Sequence, residues 1–105
     1  MTERQRLPDR RSSITFTFHI GGLGYTATFS RFGDGRPAEV FLRNHKVGSS
    51  ADVNARDAAV AASLALQHGC DFELVRRAML RDTQGTPSSP LGYVLDAIGG
   101  EGDTP

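Results

Sequence analysis

One short polar stretch of this chain has the residue types of an anion-binding site: Lys46-Val47-Gly48-Ser49-Ser50. It lies between a predicted strand and a predicted helix, where backbone amides, the positive end of a helix dipole and a lysine can hold a phosphate or a carboxylate. The stretch lacks the Gly-x-x-x-x-Gly-Lys-Ser/Thr order of a P-loop. The pattern therefore favours an ordinary helix start with capping serines, and an anion or nucleotide site at Lys46, Gly48, Ser49 and Ser50 is the alternative.

The histidines and the single cysteine are the residues that could bind a metal. The spacing of His19, His45, His68 and Cys70 matches no standard ligand motif, and the turn at residues 68–70 would direct the last two side chains apart. One cysteine supplies neither an internal disulfide nor a redox dithiol, so Cys70 is interpreted as a small buried hydrophobe. The sequence predicts no metal site and no cofactor.

Catalytic residues cannot be assigned from the sequence. Polar groups are present, but no set of nucleophile, base and orienting residue is recognisable among them; the candidates are Glu39, Ser49, Ser50, Asp52 and Ser63. We therefore expect no enzymatic activity from the chain by itself.

Composition limits the class of protein. With 105 residues, 38% of them hydrophobic, the chain suits one compact domain. Its 12 basic and 12 acidic residues give a formal net charge of zero, which argues against a nucleic-acid binder. No apolar run approaches the roughly 20 residues that a membrane span needs. A soluble cytoplasmic protein is expected.

The elements that must position these residues begin with three strands. Apolar and polar residues alternate from Ile14 to Ile20, from Tyr25 to Ser30 and from Pro37 to Arg43. Glycine-containing turns separate the three segments, at residues 21–24 and 33–35. The pattern predicts a three-stranded antiparallel meander with one apolar face, on which two to three helices pack.

Three helices are predicted to follow. The first, residues 51–68, carries an alanine stripe, starts after a capping Ser49 or Ser50 and ends at Gly69. The second starts after Asp71 and runs to about Arg81. The third has Ser89 as its cap, Pro90 in its first turn and an apolar stripe that ends at Ile98. The fold class is α+β: residues 13–98 form one domain, between a disordered arginine-rich tail (residues 1–12) and a flexible acidic tail (residues 99–105).

Three motifs in order carry a resemblance to a known family. They are the run Gly35-Arg36-Pro37-Ala38-Glu39, the Lys46–Ser50 stretch and the helix end Ser63-Leu64-Ala65-Leu66-Gln67-His68-Gly69. With them the chain resembles the TSCPD domain, a C-terminal module of adenosylcobalamin-dependent ribonucleotide reductases that also occurs as small separate proteins. That family is associated with metal chelation by several cysteines. This chain lacks them, so chelation is not transferred.

The resemblance implies a role and several alternatives. It implies a non-catalytic accessory, regulatory or assembly module related to ribonucleotide reductase, whose enzyme class is ribonucleoside-diphosphate reductase. Its partner would be the reductase catalytic subunit. The alternatives are a stand-alone domain that binds a nucleotide phosphate, and a structural homo-oligomer that associates through a sheet edge or through its threonine face. Neither a membrane nor a nucleic-acid partner is expected.

Overall fold

The computed structural model describes residues 12–102 and contains three strands followed by three helices. Their bounds are Ser13–Ile20 (β1), Leu23–Arg31 (β2), Pro37–Asn44 (β3), Ser50–Gln67 (α1), Phe72–Ala78 (α2) and Pro90–Gly102 (α3). The strands form an antiparallel sheet in the order β1-β2-β3. The predicted α+β class and meander are confirmed, whereas most of the predicted amino-terminal tail lies outside the described residues.

A two-glycine turn makes the first hairpin. Gly21 and Gly22 have φ angles of +60° and +77°, the left-handed conformation that both central residues of a type I′ turn require. Gly24 is already part of β2 and lies opposite His19 of β1. The predicted hairpin at residues 21–24 is confirmed, and no helix follows it as a nucleotide-binding loop would need.

The core lies on one face of the sheet, beneath α3. The strands contribute their alternating apolar residues to this core. The opposite face of the sheet, here called the open face, carries the threonines of β1 and β2. Leu91, Val94, Leu95 and Ile98 of α3 are all buried, as the predicted stripe requires. The Tyr93 ring stacks on the ring of Phe18, with 4.4 Å between centroids. The burial of this apolar surface is the main stabilising contribution to a domain of this size.

Helix α1 lies along the outer edge of β3. Polar side chains of α1 bond to the backbone groups of β3 that point away from β2. Ser63 Oγ accepts from Val40 N (2.9 Å) and donates to Val40 O (3.0 Å), and Gln67 Nε2 donates to Ala38 O (3.1 Å). The alanine stripe lets the helix come this close, because small side chains separate it from the strand.

Helix α2 is shorter, and α3 longer, than their patterns indicate. Met79 has extended backbone, and Arg81, the predicted end of α2, instead forms an isolated antiparallel bridge with Pro87. Helix α3 continues past Ile98 to Gly102. At Gly99 a Cβ would lie 3.2 Å from Arg76 Cδ, so glycine allows α2 to pack closely against this end of α3.

An ion-pair cluster joins α2 to α3. Asp96 Oδ1 accepts from Arg81 (2.7 Å) and from Arg76 (3.2 Å), and Arg76 also pairs with Glu73 at 2.7 Å. The hydrogen bond from Arg81, with a further one from Arg76, holds the pKa of Asp96 below its usual value. The cluster fixes the short α2, which has no fully buried residue of its own.

Candidate functional site

The Lys46–Ser50 loop leads into α1 and is closed by its own residues. Ser49 is the N-cap: its Oγ accepts from Asp52 N at 3.1 Å and donates to Lys46 O at 2.7 Å. Gly48, with φ at +79°, directs its amide to Asp52 Oδ2 at 2.9 Å. Ser50 is the first residue of the helix. The capping serine is thus Ser49, and the Gly48 amide already has an anionic partner within the chain.

Asp52 is the buried carboxylate around which this loop folds. Its other oxygen, Oδ1, accepts from Asn44 N at 2.9 Å, and the residue is 1% exposed. The hydrogen bonds from the Gly48 and Asn44 amides hold its pKa below the usual 3.8. Asp52 therefore joins the end of β3, the loop and the first turn of α1, a role that its position in the sequence did not single out.

Among residues 12–102, the first-turn amides of Ser50 and Ala51 donate no hydrogen bond. Lys46 is exposed beside them. These groups are what the loop offers to an external anion. The carboxylate of Asp52 lies beneath them and opposes a second negative charge.

The residues of the Gly-Arg-Pro-x-Glu motif build the second turn and begin β3. Gly35 has a φ of +92°, and Arg36 pairs with Asp34 at 2.7 Å while its guanidinium lies over the Phe32 ring. Pro37 is the first residue of β3, opposite Arg31. Glu39 lies two residues further along and borders a groove on the open face. The first three residues of the motif thus shape a turn, and only Glu39 reaches the groove.

This groove, of about 690 Å³, runs between the open face of β3 and α1. Three apolar side chains in it are exposed: Phe41 by 57%, Val60 by 56% and Leu64 by 42%. Arg43 and Arg56 add positive charge, and Thr26 and Thr28 add hydroxyl groups from β2. An exposed aromatic residue beside two aliphatic ones and two arginines has the composition of a protein-contact surface.

The alternation in β3 sets Phe41 on the same side of the strand as Glu39 and Arg43, and Phe41 is exposed there. One exposed apolar residue needs no explanation by itself, and it becomes informative when other apolar side chains lie beside it. Val60 and Leu64 could not be linked to it, since only the position of α1 at the edge of β3 brings them together.

The potential metal-binding residues separate into two groups. His19 and His45 lie close together, with 6.3 Å between ring centroids in an edge-to-face arrangement. His68 is the C-cap of α1, and Cys70 is a half-buried free thiol two residues later. No group of three or more histidine, cysteine, aspartate or glutamate side chains among residues 12–102 has the geometry of a metal site.

Comparison with known proteins identifies relatives of this chain. It is 38% identical over 71 residues to a vitamin B12-dependent ribonucleotide reductase of Agrobacterium fabrum. The aligned segment covers 68% of this chain and 6% of the reductase. It is 36% identical over 90 residues to that of Rhodopirellula baltica, covering 86% of this chain and 8% of the reductase. The chain is homologous to a short segment of these reductases.

This homology confirms the predicted resemblance of the chain to a small module of these reductases. A third such reductase, from Bradyrhizobium diazoefficiens, is 36% identical over 73 residues, 70% of this chain and 6% of the reductase. The matched segment therefore spans less than a tenth of the length of each of these three reductases. No protein-family model and no solved structure matches it. Within the described part of the chain, no helix has the length and apolar character of a membrane span.

Proposed function

We propose that this chain is a non-catalytic accessory module of ribonucleotide reductase that acts in deoxyribonucleotide synthesis through protein contact. The observation that carries the proposal is homology to a short segment of much larger reductases, 6% of the Agrobacterium fabrum protein and 8% of the Rhodopirellula baltica protein. A segment of this size suits one domain that is attached to, or associates with, a much larger catalytic polypeptide. The single cysteine supports a non-catalytic role, since the chain alone cannot cycle between a dithiol and a disulfide.

The groove beside β3 is the proposed contact surface for the reductase polypeptide. Covering Phe41, Val60 and Leu64 would remove apolar area from water, at about 25 cal/mol per Å². Arg43 and Arg56 at its sides favour an apolar partner segment that also carries carboxylates. The aromatic side chain at the centre is the residue type that most often dominates such a contact.

The test is binding of the full chain to the vitamin B12-dependent reductase of the same organism, measured by biolayer interferometry. We expect saturable binding that Phe41→Ala weakens about tenfold or more. Leu80→Ala is the matched control, because Leu80 is 74% exposed but does not line the groove. Absence of binding at high micromolar reductase, or equal weakening by both variants, would contradict the proposal.

Anion binding at Lys46, Gly48, Ser49 and Ser50 is a second candidate, supported by the exposed lysine and the two unengaged amides. Inorganic phosphate and a nucleoside triphosphate, titrated separately and followed by amide NMR, test it. Shifts at Ser50 and Ala51 that salt and Lys46→Ala suppress would support the site. Unchanged shifts at millimolar ligand would leave the loop with its capping role alone.

A structural homo-oligomer is the third candidate, and β1 favours it. This strand has β2 on one side and is an edge of the sheet on the other. Its eight residues contain no proline, lysine or acidic residue, the usual protection of an exposed edge. Sedimentation velocity over a range of concentrations tests it: a monomer throughout would exclude this function, and a dimer lost in Thr17→Pro would support it.

A further inference from the structure

Two histidines that are far apart in sequence meet above Gly24. His19 lies in β1, directly opposite Gly24 of β2. His45 follows β3, and its backbone amide donates to Gly24 O at 2.9 Å. The two exposed imidazoles therefore reach toward each other across the central strand, on the open face of the sheet.

The missing side chain of Gly24 leaves a space that has a ring nitrogen of each histidine beside it. A Cβ at this position would lie 2.5 Å from His45 Nδ1 and 3.2 Å from His19 Nε2. The distance between the two nitrogens cannot exceed the sum of these lengths. Gly24 is not among the glycines with positive φ, so the backbone here would accept another residue. What glycine provides is room between the two rings.

A hydrogen bond fixes the orientation of one ring. His45 Nε2 lies 3.0 Å from Thr26 Oγ1. When Nε2 donates to this oxygen, Nδ1 carries the lone pair that faces the space above Gly24. Histidines that bind metals commonly have their second nitrogen held in this way, which sets both the tautomer and the ring plane.

We propose that His19 Nε2 and His45 Nδ1 together bind one divalent transition-metal ion of the Zn²⁺ and Ni²⁺ class. Imidazole nitrogen suits these ions, and both rings are exposed, so they can turn to place their nitrogens at the usual zinc–nitrogen distance of about 2.0–2.1 Å. Water, or a side chain from a partner protein, completes the coordination. The inference goes beyond the proposed accessory role and replaces the sequence-based expectation of no metal site.

The surroundings set the strength of this site. Both ligands are neutral when they bind the ion, Arg43 lies opposite Thr26 on the same face, and Lys46 follows His45. This positive charge, and the solvent exposure of both rings, make it a weak, exchangeable site rather than a structural one.

Titration of the full, untagged chain with ZnCl₂ or NiCl₂ at constant pH tests the proposal, by isothermal calorimetry and by NMR of the imidazole nitrogens. We expect one ion per chain, with Zn²⁺ shifting His45 Nδ1 and His19 Nε2. His19→Ala and His45→Ala should each abolish saturable binding. Thr26→Val should weaken it about tenfold, because His45 loses its orienting hydrogen bond.

Two further variants complete the experiment. Gly24→Ala should weaken binding about as much as Thr26→Val, since its Cβ occupies the space between the ligands. His68→Ala is the control and should bind like the original chain. The proposal is overturned if millimolar metal produces no saturable binding, if only one of the two histidines shifts, or if His68→Ala weakens binding as much as His45→Ala. The histidine variants decide the matter even if Gly24→Ala does not fold.

Discussion

Asp52 shows how one residue can serve three segments at once. Its carboxylate accepts hydrogen bonds from Asn44 N and Gly48 N, while its own amide is capped by Ser49. Because two backbone donors face the ionised form, the folded chain stabilises the carboxylate over the carboxylic acid. The residue is therefore structural, and its negative charge opposes an external anion at the same loop.

At the residue scale, the first prediction concerns acid stability. The pKa of Asp52 is lowered from 3.8 on folding, so its contribution to stability is present above about pH 4 and is lost as the pH falls through the folded pKa. Asp52→Asn should lower the urea midpoint at pH 7, and this difference should shrink toward pH 3. Asp57→Asn, an exposed carboxylate of the same helix, is the control. A difference that stays constant with pH would contradict the assignment.

The second residue-scale prediction separates the two loop serines. Ser49→Ala should lower the free energy of unfolding by about 1 kcal/mol, because the Asp52 amide loses its cap. Ser50→Ala should change it by less than about 0.5 kcal/mol, since Ser50 lies on the exposed first turn. Urea denaturation of both variants measures this. Equal losses would mean that the cap is shared.

At the scale of elements, the position of α1 is the feature that organises the molecule. A strand edge exposes backbone groups that can pair with other chains, and here α1 covers them with Asp52, Ser63 and Gln67. The same position creates the groove, because one side of the helix then stands beside the open face of β3.

The element-scale prediction is that Ser63 supports this docking. Ser63→Ala should reduce the free energy of unfolding by about 1–3 kcal/mol, because Val40 N and Val40 O would be left buried without a partner. Asn54→Ala, on the exposed side of α1, should have little effect. Measurement is by urea denaturation. A loss for Ser63→Ala no larger than that of the control would show that water replaces the hydroxyl.

At the scale of the whole molecule, the helices and the sheet of residues 12–102 enclose a core, and none of these residues covers the groove beside β3. The ion-pair cluster around Asp96 fixes α2, and α1 closes the β3 edge. The groove leaves three apolar side chains exposed along one surface, those of Phe41, Val60 and Leu64. This cluster is the surface on which the proposed contact with a partner protein rests.

The whole-molecule prediction follows from the proposed non-catalytic role. The purified chain, supplied with adenosylcobalamin and a thiol reductant, should reduce no ribonucleoside di- or triphosphate. Product analysis by chromatography measures this, with a complete vitamin B12-dependent reductase as the positive control. Turnover above the no-protein background would refute the role.

The sequence by itself determined the local structure. Period-two alternation in three segments, the glycine turn at residues 21–22, the cap at Asp71 and the stripe from Leu91 to Ile98 all correspond to elements of the structure. These signals are readable because strand and helix periods, turn conformations and caps depend on neighbours within a few residues. Motif order also pointed to the reductases, because it records common descent.

Only the tertiary structure decided which residues meet. The edge position of α1, the groove, the use of Asp52 as an internal anion and the approach of His19 to His45 all join residues from different elements. The end of α2 before Arg81 has the same origin, since Arg81 pairs with Pro87 and Asp96. Contacts of this kind depend on how helices pack against a sheet, and a residue's spacing in the chain carries no record of its partners across the fold.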